Sequence, residues 1–313
     1  MKNWSILICK SIVLIFLLAL ADFGIGKLFV QAKDYALASH PEDMWLKSSY
    51  AVEKVHSDII IIGSSTAVHH YIPSLIKEKT NLSTYNCGQD GCFFLYNACT
   101  INTILERYRP KVIIWDVNPH SLLNTDNGDE YQNMRYLSYY YDNDKIVREY
   151  INNREANMSK YYLLNGYKYN SHFVYTFYPT IHFSSTQQGY IPLLTTETPM
   201  IQKKRVEWTG DWVESELLEM YKTIDNCKSK GVDLIIVTSP YYADYDYSAK
   251  KICNDFAEML KKYNTTYINL LYAEPFNSDM VLYRDAAHLN TIGAEIMTDT
   301  VANAVYNILN GNH

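Results

Sequence analysis

The stretch Asp58-Ile59-Ile60-Ile61-Ile62-Gly63-Ser64-Ser65-Thr66 decides how this chain folds. Four consecutive isoleucines have no polar face to offer water. They read as a short strand buried on both sides, the kind a parallel sheet uses. Gly63 ends the run, and a helix is expected at about 72–79. Residues 83–87 read as a second strand. A periodic helix follows over 93–108, with Phe94, Leu95, Ala98, Ile101 and Leu105 on its apolar side and Pro110 as its stop. Val112-Ile113-Ile114-Trp115 is a third strand, closed by Asp116. The alternation resumes with a helix over 213–230, ended by Gly231, and a strand over 232–237. A helix over 248–263, a strand over 267–270 and a last helix to about 309, capped by Asn290, complete it. Strands alternating with helices predict an α/β fold with a parallel sheet of about five strands between two helical layers.

Composition narrows the function. The chain has 313 residues, 48% hydrophobic and 20% charged, as expected of a globular protein and not of a disordered or multi-span one. Its net charge is −6 and no basic stretch stands out, which argues against a nucleic-acid partner. Residues 1–21 carry Lys2 and Lys10, an apolar run over 12–18, and Ala19-Leu20-Ala21. Residues 1–30 therefore read as a secretory signal or an N-terminal membrane anchor; in a longer anchor Asp22 would lie inside the membrane. Either way the rest is exported: anchored facing the periplasm or cell exterior, or secreted if the leader is cleaved. Residues 31–55 show no clear periodicity and read as a connector to a domain over 56–313. Five cysteines remain after Cys9. Their wide spacing is no disulfide framework, and most read as small buried hydrophobes.

An insertion at about 119–212 separates the third strand from the fourth. It is rich in tyrosine, including Tyr139, Tyr140, Tyr141, Tyr161, Tyr162, Tyr167, Tyr169, Tyr175 and Tyr178. Because it leaves from the C-terminal end of a strand, it is placed to act as a lid or substrate platform.

In sheets of this kind ligands sit beyond the C-terminal ends of the strands, and four features fall there. Gly63-Ser64-Ser65-Thr66 follows the first strand. A serine at such a turn exposes its hydroxyl beside the N–H groups of a helix start. Asn86-Cys87-Gly88-Gln89-Asp90-Gly91 follows the second, with glycines that allow a free N–H at close approach. Asp116-Val117-Asn118 follows the third, and an Asn amide donates to an oxyanion. Asp285-Ala286-Ala287-His288 lies before the last helix. There His288 reads as a general base and Asp285 as the group that fixes its tautomer. Each feature alone also reads as an ordinary turn or cap. His69-His70 do not share a helix face, so a metal would need ligands from elsewhere. Asp244 and Asp246 read as solvated loop acids. No phosphate-binding or dinucleotide glycine loop is present, and neither cofactor nor metal is expected.

Taken together, the four blocks resemble the SGNH (GDSL-like) hydrolases, over about residues 56–310. The resemblance implies a flavodoxin-like three-layer sandwich. It implies Ser65 as nucleophile, His288 and Asp285 as its partners, and an oxyanion hole from Ser65, Gly91 and Asn118. The family's Gly-Asp-Ser-Leu is Gly63-Ser64-Ser65-Thr66 here, and its third block is reduced to Asp116-Val117-Asn118-Pro119. A Gly-Ser-Ser start behind an N-terminal membrane segment is similar in layout to DltD-like and envelope O-acetyl-transfer members. The implied activity is a serine esterase acting on an acylated carbohydrate or glycopolymer substrate. An O-acyltransferase with the same triad and a non-catalytic glycan-binding or assembly protein are the alternatives.

Overall fold

Ile59–Ile62 form strand β1, every side chain fully buried. In the computed structural model, which describes residues 2–124, 134–154, 157–194 and 200–311, β1 pairs with β2 (Thr84–Asn86) on one side and β3 (Val112–Asp116) on the other. β4 (Asp233–Thr238) and β5 (Thr266–Asn269) extend the sheet beyond β3, all parallel, in the order β2-β1-β3-β4-β5. Alternate isoleucines serve opposite faces. Ile60 and Ile62 join Ile113, Trp115 and Ile236 in one core, while Ile59 and Ile61 join Val112, Ile114 and Ile235 in the other. Each buried isoleucine contributes about 1.5–3 kcal/mol.

In chain order the principal helices are α1 (Lys2–Ser39), α2 (Lys47–Glu53), α3 (Ser65–His70), α4 (Pro73–Thr80) and α5 (Phe94–Arg107). They continue with α6 (Lys145–Arg154), α7 (Glu214–Ser229), α8 (Tyr247–Lys262) and α9 (Thr291–Leu309). Ile101 of α5, Ile224 of α7 and Phe256 of α8 fill the first core. Ile76 of α4 and Val301 of α9 fill the second. The result is the expected three-layer sandwich. Its order has one reversal: the chain goes from β1 out to β2, then back across β1 to β3. The connection after β1 packs on the second core and the one after β3 on the first, so the chain leaves the two strands towards opposite faces and opens a crevice beyond their C-terminal ends, where such sheets bind ligands.

The N-terminal region differs from the sequence reading. Residues 31–55 are not a loose connector. α1 runs unbroken to Ser39, and Ala51, Val52 and Val55 in and after α2 enter the first core. The second half of α1 is docked through a stripe at Asp22, Gly26, Phe29, Lys33, Ala36 and Leu37. Gly26 is needed there, because a Cβ would lie 2.6 Å from Asn165 Cγ. Asp22 accepts from the N–H groups of Asn165 (2.9 Å) and Gly166 (2.7 Å). It thus caps the short helix Asn165–Lys168, where the longer-anchor reading put it inside the membrane. Buried Lys33 pairs with Glu53 of α2. Small and charged residues carry this stripe, so hydrophobic periodicity could not reveal it. By contrast, residues 4–21 are exposed throughout, and the helix from Trp4 is apolar enough to cross a membrane.

The tyrosines of the insertion are mostly scaffold. Tyr139 stacks on Tyr169 (centroids 4.9 Å), Tyr169 on Phe29 of α1 (5.6 Å), and Tyr175 packs on Trp45 (5.3 Å). Tyr140 donates to Glu53 (2.8 Å), and Tyr141 meets Tyr162 edge-on. Tyr139, Tyr140 and Tyr169 thus pack against α1 and α2. What passes the crevice is the return leg of the insertion, where Ile191 N–H donates to the Val68 carbonyl (3.2 Å). The five cysteines beyond Cys9 are all buried.

Candidate active site

Gly63 makes the turn after β1 possible: a Cβ there would stand 2.7 Å from both Ala67 Cβ and Asp116 Cβ. The chain can then enter α3 at once, with Ser64 as N-cap and Ser65 as the first helical residue. Ser65 Oγ lies 2.8 Å from His288 Nε2. Across the same imidazole, Nδ1 is 3.0 Å from each carboxylate oxygen of Asp285. A carboxylate only accepts, so Nδ1 holds the proton and Nε2 presents its lone pair to the Ser65 hydroxyl. The loop is braced for this. Asp285 Oδ1 also accepts from the N–H groups of Ala287 (2.8 Å) and His288 (3.0 Å), and Arg284 N–H donates to the His288 carbonyl (2.8 Å). Burial pushes the Asp285 carboxyl up. The donors at Ala287 and His288 outweigh it and hold the group below the ordinary carboxylate range.

The remaining sequence candidates divide. Gly91 has φ +67 in the loop after β2, and among the described residues nothing accepts from its N–H or from that of Ser65. Gly88 is different: its N–H is spent on Asn86 Oδ1 (3.0 Å). Asn86 is itself structural, its amide donating to the carbonyls of Ala67 (2.6 Å) and Tyr71 (3.1 Å) and tying β2 to α3. Asn86→Ala should cost about 2–4 kcal/mol, read as a lowered urea midpoint, because those carbonyls and the Gly88 N–H lose buried partners. Asn118 Oδ1 accepts from His120 N–H (3.0 Å). His69 Nδ1 donates to the Ile191 carbonyl (2.7 Å), and its Nε2 faces Asp90 (3.5 Å). No metal-binding cluster occurs among the described residues.

Behind the site lies a buried network that strand-end reading did not find. Asp116, at the end of β3, accepts from Thr66 (2.9 Å), Tyr71 (2.6 Å) and Ser239. Ser239 in turn accepts from His70 Nδ1 (3.2 Å), whose Nε2 accepts the N–H of Leu289 (3.0 Å). The chain of bonds therefore runs from the residue after Ser65 to the residue after His288. Burial pushes the Asp116 carboxyl up to about 6 and the His70 imidazole well below its usual value. Ser239 follows β4 just as Ser65 follows β1. That placement was the available signal.

No protein-family model matches the sequence, and no curated protein is similar to it in sequence. Among solved structures, the lipase/acylhydrolase from Enterococcus faecalis is 11% identical, with TM-score 0.43, covering 80% of this chain and 95% of its own. The GDSL-like lipase from Bacteroides thetaiotaomicron is 11% identical, with TM-score 0.38, covering 80% and 88%. What this chain does has to be read from its own side chains.

Proposed function

We propose that this chain is an SGNH-type serine ester hydrolase, exported and held at the membrane by α1, that removes acyl groups from a carbohydrate or envelope polymer. The observation that carries the reading is the continuous Ser65–His288–Asp285 relay at a helix start. Ser65 Oγ attacks the ester carbonyl carbon while His288 Nε2 takes its proton. The carbonyl π electrons move to oxygen, and the N–H groups of Ser65 and Gly91 with the Asn118 amide receive that charge. Each such donor is worth about 2.7–4 kcal/mol in the transition state. As the C–O bond breaks, His288 returns the proton to the leaving alcohol. A water then repeats the sequence on the acyl-enzyme and frees the acid and Ser65. Asp285 holds the imidazole in register and stabilises its charge.

The substrate class follows from where the membrane would lie. The stretch of α1 that is exposed on every side ends at Ala21, and α1 continues to Ser39, a rise of about 27 Å. At that far end Thr186 N–H donates to the Glu42 carbonyl (3.0 Å) and Ser48 to Gln89 (3.2 Å), in the loop that carries Gly91. The site thus stands well off the bilayer surface. An ester on a projecting polymer reaches it, and a bilayer lipid ester does not.

The test is fluorophosphonate labelling of the full chain in detergent, beside Ser65→Ala and His288→Ala. Labelling that both substitutions abolish is expected; a folded parent that takes no label would overturn the reading. Asp285→Ala should lower kcat on p-nitrophenyl acetate by about 10²–10⁴-fold with little change in KM, since it acts through His288.

A further inference from the structure

The turn around 161–167 exposes apolar side chains, and among the described residues nothing covers them. Leu163 is 79% exposed and Leu164 59%, and Tyr161 and Tyr167 beside them are more than two-fifths exposed. Such residues on a loop tip have no reason to face water, and their position in the molecule is fixed. Asp22 accepts from the backbone of Asn165 and Gly166, and the close approach at Gly26 locks the same contact. The tip is therefore bound to α1 at the first residue beyond its exposed stretch.

The depth can be counted. Residues 4–21 are eighteen exposed residues, a rise of about 27 Å, close to the hydrocarbon thickness of a bilayer. On the undocked side of α1 the exposed apolar surface continues past Asp22 through Phe23, Ile25 and Leu28. The tip lies against this same segment, at the level where hydrocarbon gives way to headgroups. Tyrosines are enriched at that level because a ring sits in the apolar layer while its hydroxyl reaches water. Lys27 and Lys160 are exposed in the same two segments and would meet headgroup phosphates.

We infer that the 161–167 turn is a second membrane contact, which rests in the lipid interface of the exported leaflet beside residues 22–28. The inference depends on the reading of α1 as a retained anchor. A single span leaves a domain free to tilt and swivel. A second contact fixed to the helix sets its orientation and keeps the catalytic crevice at one height above the bilayer.

The test uses the full chain in phosphatidylcholine–phosphatidylglycerol vesicles, with Cys9 replaced by serine. Leu163→Cys or Leu164→Cys carries an environment-sensitive fluorophore; Tyr247→Cys, on the exposed first turn of α8, is the reference. Both tip positions face solvent, so neither exchange threatens the core. Shallow spin-labelled lipid should quench the tip fluorophore at least twofold and leave the reference unchanged. Equal, weak quenching at both positions in chains that still float with vesicles would overturn the second contact and spare the anchor. Failure to float would overturn both. A blue shift at the tip that tracks protein density, without lipid quenching, would assign the surface to a second copy of this chain and likewise overturn it.

Discussion

Replacing Ser65 with alanine should lower kcat toward p-nitrophenyl acetate by about 10⁴–10⁶-fold and shift the unfolding midpoint hardly at all. Both halves follow from what Ser65 touches. Its hydroxyl is half-buried and, among the described residues, bonds only to His288 Nε2, so its loss opens no cavity and strands no buried partner there. A surface-type substitution of this kind stays within about 0.5 kcal/mol. The chemistry has no substitute nucleophile in place, because Ser64 and Thr66 turn towards each other (3.3 Å) and Thr66 is committed to Asp116. What survives is stabilisation by the remaining oxyanion donors. His288→Ala should cause a comparable loss, and the double variant should be no worse than either single one, since residues that act as a unit do not add. Steady-state kinetics on the three variants checks this. Ser65→Ala activity within tenfold of the parent would remove the acyl-enzyme mechanism.

Why the sequence revealed that pair but not its support is a matter of range. The Ser65–His288 contact spans 223 positions, yet each partner lies at a place the strand order marks: one after β1, the other in the loop before α9. The Asp285–His288 contact is local, and a three-residue spacing is enough to suggest it. Asp116 is different. Its partners Thr66, Tyr71 and Ser239 are small or aromatic hydroxyls that occur in every loop, and nothing in their spacing says that they converge on one carboxylate. The same limit hid the docked half of α1, whose contact stripe includes an aspartate, a glycine and a lysine. Tyrosine content misled in the opposite direction. A ring with a polar tip suits a sugar platform, but it equally suits a small core that must satisfy its own hydroxyls, and Tyr140 on Glu53 is that case.

Asp116→Ala should destabilise the fold, most of all at acid pH, and that pH dependence identifies the cause. Two effects oppose each other at pH 7. The parent carries a buried carboxylate whose pKa is raised from 3.8 to about 6, at a cost of about 3 kcal/mol. Alanine removes that cost. It also strands three hydroxyls, those of Thr66, Tyr71 and Ser239, at about 1–3 kcal/mol each. The second effect is larger, so the variant should be less stable by roughly 3 kcal/mol at neutral pH. The sign with pH follows from the raised value. Stability from this group is fully present below about 3.8 and is lost as pH rises through about 6, so the parent gains on acidification and the alanine variant does not. The gap between them should therefore widen by roughly 2.5 kcal/mol from pH 7 to pH 4, measured as urea midpoints at each pH. Activity should fall as well, about 10²-fold in kcat, because Thr66 flanks Ser65, and Ser239 with His70 holds the backbone beside His288. A gap that narrows on acidification would mean that Asp116 is held ionised by a partner other than these hydroxyls. The link between the segments that carry Ser65 and His288 would then have to be sought elsewhere.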